Sequence, residues 1–257
     1  MALVYRLTLA YRGAAYAGWQ RQKNALSIQQ VVEDALQDLL DHPIVLHGAG
    51  RTDAGVHAQG QTAHLRLPSS FPEKGLVHGT NHRLPSDIRL TAAHRMADDF
   101  HARKSAVGKE YLYRVYRGRV VPPLVAPYVM QVRQPTDADA MRRAMAELVG
   151  RHDFSAFALA GGSHTQPWRR LFGATLDEQG RELVFRFIGD GFLRGMVRAL
   201  VGTLLEVGCG RRSGAGVTDL LSGRSRSEAG PSAAARGLVL ERVFYPPWQQ
   251  PLAGYET

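Results

Sequence analysis

The segment Gly48 to Ala58, GAGRTDAGVHA, has the residue types best suited to chemistry. Glycines at 48, 50 and 55 flank Arg51, Thr52 and Asp53, so the backbone can come close to a large ligand. A P-loop would need a GK[ST] ending and a following helix, and a dinucleotide fingerprint would need glycine where Asp53 stands. A carboxylate in the loop would also repel a bound pyrophosphate, so the segment is read as presenting Asp53. Arg51, two residues earlier, can lie on the same side of an extended backbone and pair with that carboxylate, keeping it ionised while partly buried. Such an aspartate is a usable nucleophile or base. Spacing alone favours an aspartate that accepts turn hydrogen bonds or makes a surface ion pair, the commoner fate of Asp beside Gly in a loop.

Other candidates are weaker on spacing. Tyr111 alternates with Tyr113 and Val115, which is ordinary for cross-strand packing. Arg194 and Arg198 are four apart, hence expected on one helix face, where like charges repel unless an anion lies opposite. His57 follows Asp53 by four residues and reads as a packing or hydrogen-bonding residue. The remaining histidines, among them His64, His78, His82, His94 and His101, lack metal-ligand spacing with an acidic partner, and Cys209 is the single cysteine, which excludes a disulfide framework and a cysteine-based zinc cluster. Trp19 and Trp168 lie beside basic residues and could stack on bases, although tryptophan is commonly buried. Asp98 and Asp99 lack a second acidic cluster, which disfavours a metal-dependent hydrolase or phosphotransferase built on an aspartate nucleophile.

The formal net charge of +9 favours a polyanionic partner, with nucleic acid the foremost candidate. No run approaches the roughly 18 to 20 apolar residues of a membrane-spanning helix, and the opening MALVYRLTLAYRG reads as a strand and not as a signal peptide. The expected location is the cytoplasm.

The elements that must carry these residues follow from periodicity. Tyr5 to Tyr11 alternates as a strand. Ser27 and Gln30 have capping-box spacing ahead of apolar positions from Ile28 to Leu40 at helical intervals, ended by His42-Pro43. A strand is predicted at Ile44 to His47 and another at Gln61 to Leu67, then a helix over Glu73 to Arg83 and a strand over Ile88 to Met96, in the order β-α-β-β-α-β. The second half repeats the grammar: a strand over Lys109 to Arg117, a helix over Asp137 to Val149, strands over Arg169 to Leu176 and Glu182 to Ile188, a helix over Phe192 to Val207 and a closing strand over Leu238 to Tyr245. A short helix is predicted at Val217 to Leu221. The expected class is α+β, with an N-terminal lobe over 1–104, a C-terminal lobe over 105–248 and a tail over 249–257.

The sequence resembles the bacterial tRNA pseudouridine synthase A family, the tRNA pseudouridine(38-40) synthases. The resemblance is carried by Tyr11, Gly13 and the GWQ of Gly18 to Gln20, GAGRTDAGVHA, the NHRLP of Asn81 to Pro85 and the FHAR of Phe100 to Arg103. It continues with the KEYLYR of Lys109 to Arg114, the DF of Asp153 and Phe154, and the MVR and LVG between Met196 and Gly202. The family resemblance implies an isomerase that converts uridine to pseudouridine in the anticodon stem-loop of tRNA, at positions 38, 39 and 40. It implies that Asp53 is the catalytic aspartate and that Tyr111 contacts substrate, and with it Arg51 and Arg198 are assigned to substrate binding. It also implies two ferredoxin-like (β-α-β-β-α-β) lobes joined through a largely antiparallel sheet with a central cleft, a homodimer, and no cofactor or metal. The chain departs from the family where F-L-Y-H-M-V-R-N is usual: Arg194, Gly195 and Ala199 replace the tyrosine, histidine and asparagine, and Arg12 replaces an aspartate. The competing reading is a non-catalytic RNA-binding protein on the same scaffold, against which an intact Arg51-Thr52-Asp53 with Tyr111 speaks.

Overall fold

The computed structural model describes residues 2–161 and 166–248; the tail expected at 249–257 lies outside the described residues. The class is α+β, and most strand pairs are antiparallel. The chain forms two compact units, Met1–Val107 with Val239–Trp248, and Gly108–Leu238.

In the first unit, β1 (Leu3–Tyr11) is followed by α1 (Ile28–Leu40), β2 (His47–Gly48), β3 (His57–Leu67), α2 (Glu73–Arg83) and β4 (Ile88–Met96). β1 lies between β3 and β4, antiparallel to both, with Tyr5 opposite Leu65 and Arg95. Its alternation follows from burial: Tyr5, Leu7, Leu9 and Tyr11 point inward. Ser27 caps α1, its Oγ accepting from Gln30 N at 3.3 Å, and the helix ends at Asp41, which takes a left-handed φ of 55°. Ile28, Val32, Ala35 and Leu36 form its buried stripe.

Only His47 of the strand expected at Ile44 to His47 enters a ladder. The physical reason is that buried side chains of α1 already serve its backbone: Glu33 Oε1 accepts from Leu46 N at 2.9 Å, and Gln29 Nε2 donates to Leu46 O at 3.0 Å. These bonds tie the approach to the glycine-rich loop to α1.

The second unit contains β5 (Gly108–Arg117), β6 (Met130–Val132), α3 (Ala138–Ala146), β7 (Gly150–Asp153), β8 (Trp168–Gln179), β9 (Glu182–Gly189), α4 (Met196–Gly208) and α5 (Ala215–Asp219). Its strand order is β5-β9-β8-β7, with β6 parallel to β5. Asp137 caps α3, its Oδ1 accepting from Ala140 N at 2.9 Å. The short strands β6 and β7 were not expected from periodicity, because three or four residues carry too little pattern to register.

The helix expected from Phe192 starts four residues later, at Met196. Gly195, with φ of +70°, is the cause: its left-handed conformation breaks the run, so Arg194 precedes the helix and Arg194 and Arg198 do not share a helix face. The last strand, β10 (Leu238–Phe244), runs parallel to β3, with Val239 opposite His57 and Leu240 opposite Ala58. It therefore belongs to the first unit, whereas a contiguous division would place it in the second lobe. No helix among the described residues is long and apolar enough to cross a membrane.

Candidate active site

Asp53 stands at the first position of a tight turn between β2 and β3. Val56 N donates to Asp53 O at 3.1 Å, and Gly55, at the third position, has φ of +78°. Positive φ there is the requirement of a type II turn, which glycine meets without steric cost. The preceding residue is anchored: Thr52 is buried, its hydroxyl shares a 2.9 Å hydrogen bond with the Tyr11 hydroxyl, and its carbonyl accepts from Trp19 N at 3.0 Å. Asp53 itself is half-buried. A rigid backbone thus holds a carboxylate at a partly open position.

The glycines around this loop allow close approach. Gly18, with φ of +92°, brings its backbone against Thr52 and Asp53, where a Cβ would meet Thr52 O at 2.5 Å. A Cβ on Gly48 would meet the Trp19 ring at 2.5 Å. Trp19 is therefore a buried packing residue, stacked at 6.3 Å from Tyr11. Gln61 supports the other side, donating to Gly50 O at 2.9 Å and to the Tyr11 hydroxyl at 3.4 Å. Burial pushes the Tyr11 hydroxyl up to about 12, against the opposing hydrogen bonds from Thr52 and Gln61. Tyr11 is a neutral structural donor and acceptor at physiological pH.

His57 is buried and accepts from Gly13 N at Nδ1, 3.1 Å away. That bond ties the loop after β1 to the start of β3, a scaffolding role in keeping with the packing reading of this histidine. Arg51 is exposed, and its Nε donates to Gln20 Oε1 at 3.2 Å. The ion pair that its spacing suggests with Asp53 thus gives way, among the described residues, to a bond with a neutral amide.

Tyr111 and Arg198 belong to the second unit. Tyr111 lies on β5 opposite Phe187, 7% exposed, with its ring edge-on to Phe192 at 4.9 Å and 76°. Phe192 comes from the loop that precedes α4, which sequence reasoning placed inside the helix. Arg198 occupies the first turn of α4; its Nε donates to Ala233 O at 2.7 Å and its own carbonyl accepts from Ala233 N at 3.0 Å. The segment around Ala233 is pinned further. Thr203 Oγ1 accepts from Gly230 N at 2.9 Å and donates to Ala199 O at 2.8 Å, and the Tyr113 hydroxyl donates to Ala234 O at 2.6 Å. Gly202 lets Pro231 pass so close that any Cβ would collide with its carbonyl. Gly202 entered the sequence reading only as the end of the LVG string, and Thr203, Gly230 and Ala233 were not singled out, because their contribution is an approach of backbones with no side-chain signature beyond the glycines.

Tyr113, on the same strand face as Tyr111, is buried, and burial raises its hydroxyl well above the ordinary tyrosine range, opposed by the charges of Arg198 and Arg236. Among the described residues, no group of three or more His, Cys, Asp and Glu side chains could hold a metal ion.

A family model described as tRNA pseudouridine synthase matches residues 8–103 and 144–246. The chain is 46% identical over 244 residues to the tRNA pseudouridine synthase A of Syntrophotalea carbinolica, covering 95% of this chain and 97% of that one. It is 44% identical to the tRNA pseudouridine synthase A of Myxococcus xanthus, over 96% of this chain and 94% of that one. It is 43% identical to the tRNA pseudouridine synthase A 1 of Desulfotalea psychrophila, over 93% and 98%.

Proposed function

We propose, from the premise that this chain belongs to the tRNA pseudouridine synthase family, that it isomerises uridine to pseudouridine at positions 38, 39 and 40 in the anticodon stem-loop of tRNA, with Asp53 as the catalytic carboxylate. The observation that carries this reading is the turn that presents Asp53 half-buried on a backbone fixed by Tyr11, Thr52 and Gly55.

The reaction breaks the C1'-N1 bond, turns the freed uracil and joins C5 to C1'; the C5 proton leaves and N1 gains one. A base stacked in a stem cannot turn, so the target nucleotide is extruded to reach the reacting groups. Asp53 attacks ribose C1' or uracil C6, or removes a ribose proton. Tyr111, held edge-on by Phe192, presents a rigid ring to steady the uracil. Arg198 brings a cation to the N-terminal turn of α4, the wrong end of the helix for a positive charge by about 0.3–1 kcal/mol, which is reasonable where an anion must be met. Arg51, exposed beside Gln20, is assigned to the RNA backbone. Each unit is read as a ferredoxin-like lobe, and the enzyme as a cytoplasmic homodimer that uses neither cofactor nor metal.

The test is Asp53→Asn assayed by release of tritium from uracil C5. Lost release with retained tRNA binding is expected. Release at the wild-type rate overturns the assignment.

A further inference from the structure

The mechanism leaves one basic and aromatic cluster unused. It lies on β7, which ends the strand order of the second unit and, among the described residues, pairs with β8 and makes one further isolated bridge, from Asp153 to Ser222. Arg151 stands directly opposite Arg170, and Asp153 opposite Trp168, so these four side chains share one face of the pair. Trp168 is 48% exposed, and the Arg151 guanidinium lies 5.5 Å from the centre of its ring. Both arginines are exposed, and among the described residues neither guanidinium is paired with a carboxylate. The two nearby acids are bonded to other groups than these guanidiniums: Asp153 Oδ1 accepts from the amide and hydroxyl of Ser155 at 2.8 and 2.6 Å, and Asp190 Oδ1 accepts from the backbone amide of Arg170 at 3.0 Å.

Like charges directly across a strand pair are destabilising unless an anion lies against them. A half-exposed tryptophan with a guanidinium over its ring adds a flat surface on which an unpaired base can stack between phosphate contacts. The face is also separated from Tyr111. Leu171 pairs with Gly189, two residues from the Phe187 that opposes Tyr111, so Leu171 and Tyr111 share a face, and Arg170 and Trp168 point to the other.

We propose that Arg151, Trp168 and Arg170 form a second RNA-binding site, which stacks an unpaired nucleotide of tRNA outside the anticodon arm and grips its flanking phosphates. This site rests on the proposed tRNA activity but serves a different stretch of RNA from the one that carries the target uridine. It supplies affinity for the whole tRNA and leaves the chemical step alone.

The experiment compares full-length tRNA with an isolated anticodon stem-loop, in the full chain, for Trp168→Ala and for the double variant Arg151→Ala with Arg170→Ala. Both variants are expected to raise KM and Kd for full-length tRNA roughly five- to tenfold while kcat stays at the wild-type value. The double variant lowers the slope of log affinity against log salt by about 2, and neither variant changes binding or turnover of the stem-loop. Removing the opposed arginines leaves the thermal midpoint unchanged or higher, so loss of fold does not account for the affinity loss. Unchanged affinity for full-length tRNA overturns the proposal, as does an equal loss on both substrates. A change of sedimentation state with tRNA affinity intact also overturns it, assigning the face to a second copy of the chain. If the wild-type chain modifies no tRNA, the functional reading fails separately, and tRNA binding alone decides the site.

Discussion

Tyr11 and Thr52 share a buried hydrogen bond of 2.9 Å one residue from the carboxylate of Asp53. It joins the end of β1 to the loop between β2 and β3 and leaves the half-buried Asp53 projecting from a buried neighbour. Thr52→Val keeps the volume and strands the Tyr11 hydroxyl with Gln61 as its remaining side-chain partner. The expected cost is about 1–3 kcal/mol, read by urea denaturation, with a fall in kcat larger than any change in KM. Wild-type kcat in this variant would show that the bond does not position Asp53.

The turn itself predicts an order of severity. Gly55→Ala forces a side chain into φ of +78° and should cost about 1–2 kcal/mol. Gly18→Ala meets the same penalty at φ of +92° and adds a Cβ against the carbonyl of Thr52. Gly18→Ala should therefore lose more tritium-release activity and more thermal stability than Gly55→Ala. The reverse order would contradict the packing described for this loop.

The helix that carries Arg198 offers a paired comparison. Gly202→Ala collides with the Pro231 carbonyl and displaces the segment whose Ala233 carbonyl holds Arg198 Nε, so turnover should fall at least tenfold. Gly195→His, which restores the residue usual in the family, places a side chain at φ of +70° against Leu159. It should lower stability by about 1–3 kcal/mol, measured by thermal unfolding. A stability equal to wild type would mean that the loop before α4 relaxes around the new side chain.

Stability in acid should depend on His64. Its ring is buried, stacked on His47 at 4.9 Å and 4.6 Å from His101, and accepts from Ala102 N at 3.1 Å. Burial, with the charges of His101, His47 and Arg66, pushes it down to about 4, and His101 is lowered as well. Between about pH 6.5 and 4 the unfolded chain therefore binds more protons than the folded one, and stability present above 6.5 is lost as the pH falls toward 4. The loss attributable to His64 approaches about 3 kcal/mol. Urea midpoints from pH 7.5 to 4.5 should fall more steeply in the wild type than in His64→Gln, and parallel profiles would refute this role.

Much of the architecture was legible because local pattern and local chemistry agree. The bounds of α2 at Glu73–Arg83 and β4 at Ile88–Met96 follow from periodicity, and the start of α1 follows from Ser27. The same held for recognition of the loop, since GAGRTDAGVHA is contiguous and its glycines announce a special backbone. Where a partner is distant in sequence, pattern is silent. β10 joins the first unit by a parallel pairing of Val239 with His57 that no local signal encodes.

The sequence by itself determined the family, the candidate carboxylate at Asp53 and the order of most elements, because these reside in contiguous strings and in period. Tertiary structure alone decided that Arg51 turns to Gln20, that α4 waits until Met196, and that Ala233 holds Arg198. It also decided that Arg151, Trp168 and Arg170 meet on one exposed face. Each of these depends on which backbone or side chain arrives from elsewhere in the chain, and such arrivals are set by packing and strand register, which act across sequence distances that no local pattern spans.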